Sequence, residues 1–377
     1  MIDLDDIKII RQYDNSNQID TMMNWYSYIK EAREQSLKLN ISTSYQWENK
    51  KIDFKKPTTI VICGMGGSAI AGDYLIQLFK EELSIPVVIN RDYNIPHFVD
   101  ESTLVICVSY SGNTEETLSS CYESLLKGAM IISISSNGYL ENLSKQIGIP
   151  HIKIKEKLPP RTALPLIYIS LISILERFEL VKSMDQDIEE TKQLLKSLAL
   201  EYSPEQNIQN NIPKQIALGL FNMLPVFIGH TFYSSVAYRA KSELNENSKI
   251  LAIYEELPEQ NHNGIVTLDN PNRALNDTVF VFFRDREESK SIKTRVEETI
   301  KLVSKKTEKI LEVYPKGKTK LARQFSSTYL IDFVSIYLAI LYEVDPSITP
   351  SINSLKAHLK KKVGFVDKLK EKINSKL

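Results

Sequence analysis

Apolar and polar positions along the chain form two successive series of short apolar runs, each alternating with segments of helical spacing. In the first series TTIVICG (58–64), PVVINRDY (86–93), STLVICVSYSG (102–112) and AMIISISS (129–136) are short and continuously apolar, and they predict strands. HIKIK (151–155) predicts a fifth. Between them SAIAGDYLIQLFKEEL (68–83) and NTEETLSSCYESLLKG (113–128) repeat apolar positions every three or four residues and predict helices. The second of these has Asn113 or Thr114 at its cap and acids in its first turn. Ahead of the series, apolar spacing around Met22, Met23, Trp25, Tyr26 and Ile29 predicts one or two covering helices.

Residues 158–203 break the alternation. A stiff Pro159–Pro160 pair leads into a long apolar helix from Leu164 to Phe178, read as a buried connector, and 185–203 predicts a polar amphipathic helix. The second series then begins. QIALGL and PVFIG, up to Gly229, predict a strand pair or a strand and turn. A helix follows over 230–248, then strands over 249–256, 278–284 and 309–316, and helices over 291–307 and 327–344. A Lys-rich helix over roughly 351–373 closes the chain.

Continuously apolar strands alternating with helices predict an α/β fold of parallel sheets covered on both faces, with ligands at the carboxyl ends of the strands. The two series look like two copies of one doubly wound topology, each a parallel sheet flanked by helices. The predicted division is a first domain over 1–157, connecting helices over 158–203, a second domain over 204–350 and a C-terminal helix over 351–377.

The length of 377 residues suits two such domains. Lys+Arg and Asp+Glu are both 47, so no global charge excess points to nucleic acid or to an anionic membrane. The lysines at 360–362 read as a solvated face. There is no run of 18 apolar residues and no apolar core of signal-peptide length at the N-terminus, so the expectation is a cytoplasmic protein without a membrane span. Cys63, Cys107 and Cys121 are too few for a disulfide framework and read as small buried thiols. The five histidines form no HxH or HxxxH pair, so neither a zinc site nor any other metal or cofactor is expected; His97, His151 and His230 read as structural or surface residues.

Two loops carry candidate chemistry. The strand at 58–64 runs into GMGGSAIAG, in which Gly64, Gly66 and Gly67 precede a helix with Ser68 at its start. Such a loop lets amide groups approach an anion at a helix N-terminus. With Ala69 in the third small position it also meets a loose dinucleotide fingerprint. The third strand ends in SYSGNTEET, with Ser109, Ser111, Gly112, Asn113 and Thr114 between strand and helix. Hydroxyls and amides there can cage one phosphate dianion with neither lysine nor metal. A dinucleotide fold has no need of this second loop, and the GK[ST] of a P-loop is absent. In the second domain Glu246 and His262 are 16 residues apart, one at a helix end and one in the loop after the next strand. A carboxylate and an imidazole suit aldose–ketose isomerisation, where one base moves a proton between C2 and C1 and another acid–base group opens the sugar ring. Arg161, in the PPRTA turn, can supply the cation that an enediolate needs.

GMGGSAIAG (64–72), SYSGNTEET (109–117), PPRTALP (159–165), LNENSK (244–249), LPEQNHN (257–263) and VDPSITPSINSLK (344–356) together resemble the bifunctional phosphoglucose/phosphomannose isomerases of the sugar isomerase (SIS) superfamily, over nearly the whole chain. The serine loop follows the superfamily pattern S-x-S-G-x-T at Ser109, Ser111, Gly112 and Thr114. The resemblance implies two SIS-type domains and reversible isomerisation of glucose 6-phosphate and mannose 6-phosphate to fructose 6-phosphate. Gly66, Gly67, Ser68, Ser109, Ser111 and Thr114 would bind substrate. Glu246 matches the proton-transfer base, Arg161 the arginine near the enediolate, and Lys356 the lysine that assists ring opening. His262 matches the ring-opening histidine, donated by the neighbouring subunit of a homodimer. Thr349 matches the threonine that stands where ordinary phosphoglucose isomerases have a larger Gln, leaving room for rotation about C2–C3. Gln260 and the SAIAG segment depart from the commoner family residues without removing a functional group; Arg239 and Lys241 keep the R-x-K spacing.

Other readings stay open on the sequence. A non-catalytic SIS sugar-phosphate sensor would need the serine loop but not Glu246, His262 or Lys356. An amino-sugar phosphate isomerase would need an ammonia source or partner domain for which the length leaves no room. A nicotinamide-dependent oxidoreductase would use Gly64 and Gly66.

Overall fold

A computed structural model describes residues 2–41, 44–270 and 273–376. The chain forms two compact units, each assembled from two separate segments: Ser27–Met184 with Thr349–Leu377, and Met1–Tyr26 with Asp185–Ile348.

The first unit holds a five-stranded parallel sheet. Its strands are β1 (Thr59–Cys63), β2 (Val87–Asn90), β3 (Thr103–Val108), β4 (Met130–Ser135) and β5 (His151–Lys153), in the order β2-β1-β3-β4-β5. β3 and β4 are buried at every residue, which is why they read as unbroken apolar runs. Helix Gly67–Leu78 packs so closely on β1 and β2 that a Cβ at Gly72 would lie 2.5 Å from Ile89 Cδ1. Helix Leu164–Arg177 lies against it, with Tyr168 edge-on to Tyr74. The apolar segment read as a buried connector is buried, and it packs on helix Gly67–Leu78 within the first unit.

The second unit repeats the plan with four parallel strands: β6 (Leu224–His230), β7 (Ile253–Leu257), β8 (Thr278–Phe283) and β9 (Ile310–Val313), in the order β9-β8-β6-β7. This is the order β4-β3-β1-β2 of the first sheet, so β6 corresponds to β1 and β8 to β3. Val226, Ile228, Leu257, Phe280, Phe282, Val296 and Val303 form its core cluster. Helix Lys320–Leu341 runs through the unit with every residue from Leu321 to Leu341 buried. Its length of 22 residues and an 18-residue stretch of mean hydropathy 1.3 match a membrane span, but that stretch is entirely buried in protein and the helix carries Arg323, Gln324 and Asp332. It is a core helix.

Several elements differ from the sequence reading. The grouping of segments departs from a linear division at 157, 203 and 350, because amphipathic helices bury their apolar stripe wherever a complementary face exists. Ile10, Ile19, Met22 and Trp25 are buried in the second unit, with Trp25 against Phe325 and Tyr329. Helix Asp185–Glu201 packs on Lys320–Leu341 in the same unit. QIALGL lies in a helix, Ile212–Leu220, begun by Asn211, whose side chain accepts from the Lys214 amide, and by Pro213 in the first turn; that capping pattern outweighs the short apolar run. The strand expected from residue 249 starts late, at Ile253. The C-terminal segment is two helices, Pro350–Lys362 and Phe365–Asn374, parted at Gly364 with φ +58°. Cys63, Cys107 and Cys121 are buried free thiols.

Candidate active site

In the first sheet the strand order reverses direction between β1 and β3, the place where open α/β sheets bind ligands. The register pairs Cys63 with Cys107, so the loops after β1 and β3 leave the sheet side by side. A Cβ at Gly64 would lie 3.1 Å from Val108 O. Both candidate loops thus converge on one edge.

After β1, Gly66 adopts φ +50° and ψ −124° and caps the helix with no side-chain bond. The Ser68 amide donates to Met65 O at 3.0 Å, while the amides of Gly66 and Gly67 have no backbone acceptor among the described residues. They are the donors this loop can turn toward an anion. Ser68 is buried. The same loop meets the PPRTA turn: a Cβ at Gly67 would lie 3.6 Å from Pro160 O and 3.9 Å from Arg161 Cα. Arg161 sits in a 3-10 turn, Pro160–Ala163, held by Thr162 Oγ1 donating to Pro159 O at 2.8 Å. This brings Arg161, far away in sequence, to the glycine loop.

After β3 the chain turns tightly. Gly112 has φ +64°, and a Cβ there would stand 1.8 Å from Asn137 O. Gly138, at φ +86°, leans close to Ser111 O from the other side, where a Cβ would stand 2.3 Å away. Asn113 ties this contact together: its Nδ2 donates to Ser111 O at 2.9 Å, and its Oδ1 accepts from the Tyr139 amide at 3.1 Å. Thr114 is the cap of helix Glu115–Lys127, yet its hydroxyl makes no capping bond. It lies 2.8 Å from Ser109 Oγ instead. Ser109 is buried and braces the loop from behind, Thr114 is half-buried and Ser111 exposed. The first helical amides are left for an anion, where the dipole favours it.

Ser111, Asn113 and Thr114 line a cavity of about 490 Å³ whose other wall is helix Pro350–Lys362, which presents Ile352, Leu355, Lys356, Leu359 and Lys360. Lys356 therefore faces the serine loop. Thr349 caps this helix without a side-chain bond, two turns before Lys356 on the same stripe. The sequence reading missed Tyr93 and Lys360 as members of this cavity, and gave Asn113 no more than a capping role. Tyr93 follows the carboxyl end of β2, and Lys360 is four residues after Lys356, so both positions carried a signal. Burial and the Glu116 and Glu115 carboxylates push the Tyr93 hydroxyl up to about 12, keeping it protonated. The cage is not purely neutral, since Lys356, Lys360 and Lys370 share its cavity with Glu115, Glu116 and Asp367.

In the second unit Glu246 lies in a π-helical turn, Leu244–Ser248, that ends helix Tyr233–Glu243. Such turns are rare and concentrate at functional positions. Glu246 is half-buried. Behind it Arg239 grips Asp332 by two bonds of 3.0 and 2.7 Å and Glu243 at 2.9 Å, all three buried. Burial pushes the Asp332 carboxyl up, against the pull of Arg239. His262 ends a 3-10 turn, Glu259–His262, directly after β7. Its ring is exposed and has no hydrogen-bond or ion-pair partner among the described residues. Its neighbours are fastened: Asn261 Nδ2 donates to Thr299 Oγ1 at 2.9 Å, and Asn263 Nδ2 to Glu259 Oε1 at 2.8 Å. Both candidate acid–base groups stand on braced turns at strand or helix ends. Among the described residues no group of three or more His, Cys, Asp or Glu side chains gathers as a metal site.

Two family descriptions match the chain: "SIS domain" over residues 53–146, and "Bacterial phospho-glucose isomerase C-terminal SIS domain" over residues 209–359. The chain is 40% identical over 301 residues to the bifunctional phosphoglucose/phosphomannose isomerase of Caldicellulosiruptor bescii, covering 80% of this chain and 89% of that one. It is 37% identical over 302 residues to the enzyme of the same name from Thermoplasma acidophilum, covering 80% and 90%. Among solved structures, a hypothetical protein from Thermus thermophilus shares the fold with a TM-score of 0.71 at 14% identity, covering 94% of each chain.

Proposed function

Because the chain belongs to the bifunctional phosphoglucose/phosphomannose isomerases of the SIS family, we propose that it interconverts glucose 6-phosphate and mannose 6-phosphate with fructose 6-phosphate through ring opening and an enediolate. Both of its sheets are SIS domains. The observation that carries the reading is the cavity in which Ser111, Asn113 and Thr114 face Lys356. A phosphate loop without the lysine would suit a sensor; the pairing suits an enzyme that holds the 6-phosphate and works on the sugar attached to it.

The phosphate is held by the Ser111 and Thr114 hydroxyls and by the amides at the two helix N-termini. Ring opening passes a proton from the O1 hydroxyl to ring O5, with His262 as acid–base group and Lys356 assisting. The Glu246 carboxylate then takes the proton from C2 and returns it to C1, while the hydroxyl proton moves from O2 to O1. Arg161 offsets the charge that the enediolate carries. Thr349 leaves room for rotation about C2–C3, so that either C2 epimer presents its proton to Glu246. The exposed ring of His262, without a partner among the described residues, supports its use in a site completed by a second copy of the chain, a homodimer. The three buried thiols suit a reducing, cytoplasmic compartment.

The test is a coupled assay of the purified protein with fructose 6-phosphate after EDTA treatment, detecting glucose 6-phosphate and mannose 6-phosphate separately. Both products are expected. Glucose 6-phosphate alone would remove the proposed role of Thr349 and keep the rest. Neither product would favour a sensor or an amino-sugar isomerase.

A further inference from the structure

Lys249 is the last residue of LNENSK and closes the π turn in a left-handed conformation, φ +60°, with its amide donating to Leu244 O. A lysine at a helix end is ordinarily solvated. Lys249 is exposed as a residue, yet its ammonium is engaged by four backbone carbonyls: Glu246 O at 2.7 Å, Asn247 O at 3.0 Å, Asp345 O at 3.0 Å and Pro346 O at 3.2 Å. Two of these belong to the turn that carries Glu246. The other two belong to the turn at 345–346, itself pinned by Asp345 Oδ1 accepting from the Ser347 amide at 2.8 Å.

The rest of the π turn is tied to the unit's core by different groups. Asn247 Nδ2 donates to Glu243 Oε2 at 2.9 Å and to Ser335 Oγ at 2.8 Å, and its Oδ1 accepts from Gln18 Nε2 at 3.0 Å. Ser248 Oγ donates to Ser335 O at 2.6 Å. These bonds fix residues 247 and 248 from behind. The peptide of Glu246, half-buried at the outer side of the turn, takes its carbonyl partner from Lys249. A π turn exposes carbonyls that a regular helix would consume, and an ammonium satisfies several of them at once.

We propose that Lys249 is a positioning residue of the isomerisation: its ammonium staples the turn bearing the Glu246 carboxylate to the turn at 345–346 and sets the carboxylate's direction, without touching substrate. This rests on the isomerase reading above. A carboxylate misplaced by about 1 Å loses on the order of 100-fold in rate, so the staple should appear in kcat and leave KM nearly alone.

The experiment uses the full-length protein with Lys249→Cys, then aminoethylation of the new thiol, which restores an ammonium at almost the original reach. The native thiols Cys63, Cys107 and Cys121 are buried and shielded from the reagent. With fructose 6-phosphate as substrate, Lys249→Cys is expected to lose roughly 10- to 100-fold in kcat toward both aldoses, with KM changed less than about twofold. Aminoethylation is expected to recover most of kcat. Unchanged kcat in Lys249→Cys overturns the proposal. So does recovery of Tm on aminoethylation without recovery of kcat, or a rise in KM at constant kcat, which would make Lys249 a substrate contact. If Lys249→Cys does not fold, Lys249→Arg takes its place: it keeps the charge but not the compact three-donor head, and the same kcat loss is expected. Wild-type protein without isomerase activity would defeat the isomerase reading; active wild type with an unaffected variant would defeat the staple alone.

Discussion

Ser109 Oγ and Thr114 Oγ1 lie 2.8 Å apart, joining the end of β3 to the cap of the next helix. The Thr114 hydroxyl is thereby diverted from its own helix amides, which stay open to an anion. Thr114→Val should leave the fold intact and weaken the hold on the 6-phosphate. A hydrogen bond to a charged group contributes about 1.5–3 kcal/mol, so KM should rise roughly 10- to 100-fold with a smaller change in kcat. Steady-state kinetics checks this, and equal falls in kcat at constant KM would refute it.

Gly112 and Gly66 both have positive φ, but their surroundings differ. A Cβ at Gly112 would stand 1.8 Å from Asn137 O, whereas one at Gly66 meets nothing within 4 Å. Gly66→Ala should cost only the strain of a backbone conformation (φ +50°, ψ −124°) that suits glycine, about 1–3 kcal/mol. Gly112→Ala must also push the backbone of the neighbouring loop aside, and should lower the unfolding midpoint in urea clearly further. Equal midpoints would show that the Gly112–Asn137 contact yields easily.

Glu246 and His262 give a test of the homodimer. Glu246→Gln should lower both isomerase activities in parallel by about 100- to 10,000-fold, the range for loss of a general base; loss of only one would sink the shared base. His262→Ala should also be crippled. If each site takes His262 from the second copy, refolding the two variants together forms mixed dimers with one intact site, recovering roughly a quarter of wild-type activity. No recovery would place both residues of a site on one chain.

Thr349 makes no side-chain capping bond at the head of the helix that carries Lys356. Thr349→Gln adds bulk at that point. The expected outcome is retained glucose 6-phosphate formation and a loss of mannose 6-phosphate formation, measured as the ratio of the two kcat/KM values. An unchanged ratio would remove Thr349 from C2 specificity.

His151 supplies a pH dependence. Burial, with Lys145 and Lys153 nearby and only Glu141 opposing, holds its imidazole down to about 4 from an ordinary value of 6.5, and Ser133 Oγ is 2.8 Å from its Nδ1. Between those two values the unfolded chain binds a proton that the folded chain refuses. Stability therefore falls as pH drops from about 6.5 to about 4 and flattens below, by up to roughly 3 kcal/mol from this residue. Urea unfolding of His151→Gln should lose less over the same window; parallel curves for variant and wild type would contradict the assignment.

The parts legible in the amino-acid order were those in which neighbours along the chain are also neighbours in space. β3 is an unbroken apolar run because both faces of its sheet are covered, and SYSGNT is a turn whose glycine and hydroxyls act on one another within six residues. Glu246 and His262 were legible as residue types at the ends of elements. What local order could not carry was pairing between distant segments. Ile212–Leu220 and QIALGL show this at small scale: an apolar run fits strand or helix, and the Asn211 cap decides it. At larger scale, an amphipathic helix advertises a buried stripe without naming the face that buries it. Tertiary packing alone decided that Trp25 lies against Tyr329, that the PPRTA turn meets Gly67, that helix Pro350–Lys362 sets Lys356 opposite Ser111, and that the Glu246 turn hangs on Ser335, Gln18 and Lys249. The physical reason is that hydrophobic burial is non-directional and periodicity encodes only which side of an element turns inward; the partner is chosen by shape and by hydrogen bonds that close once the chain has folded.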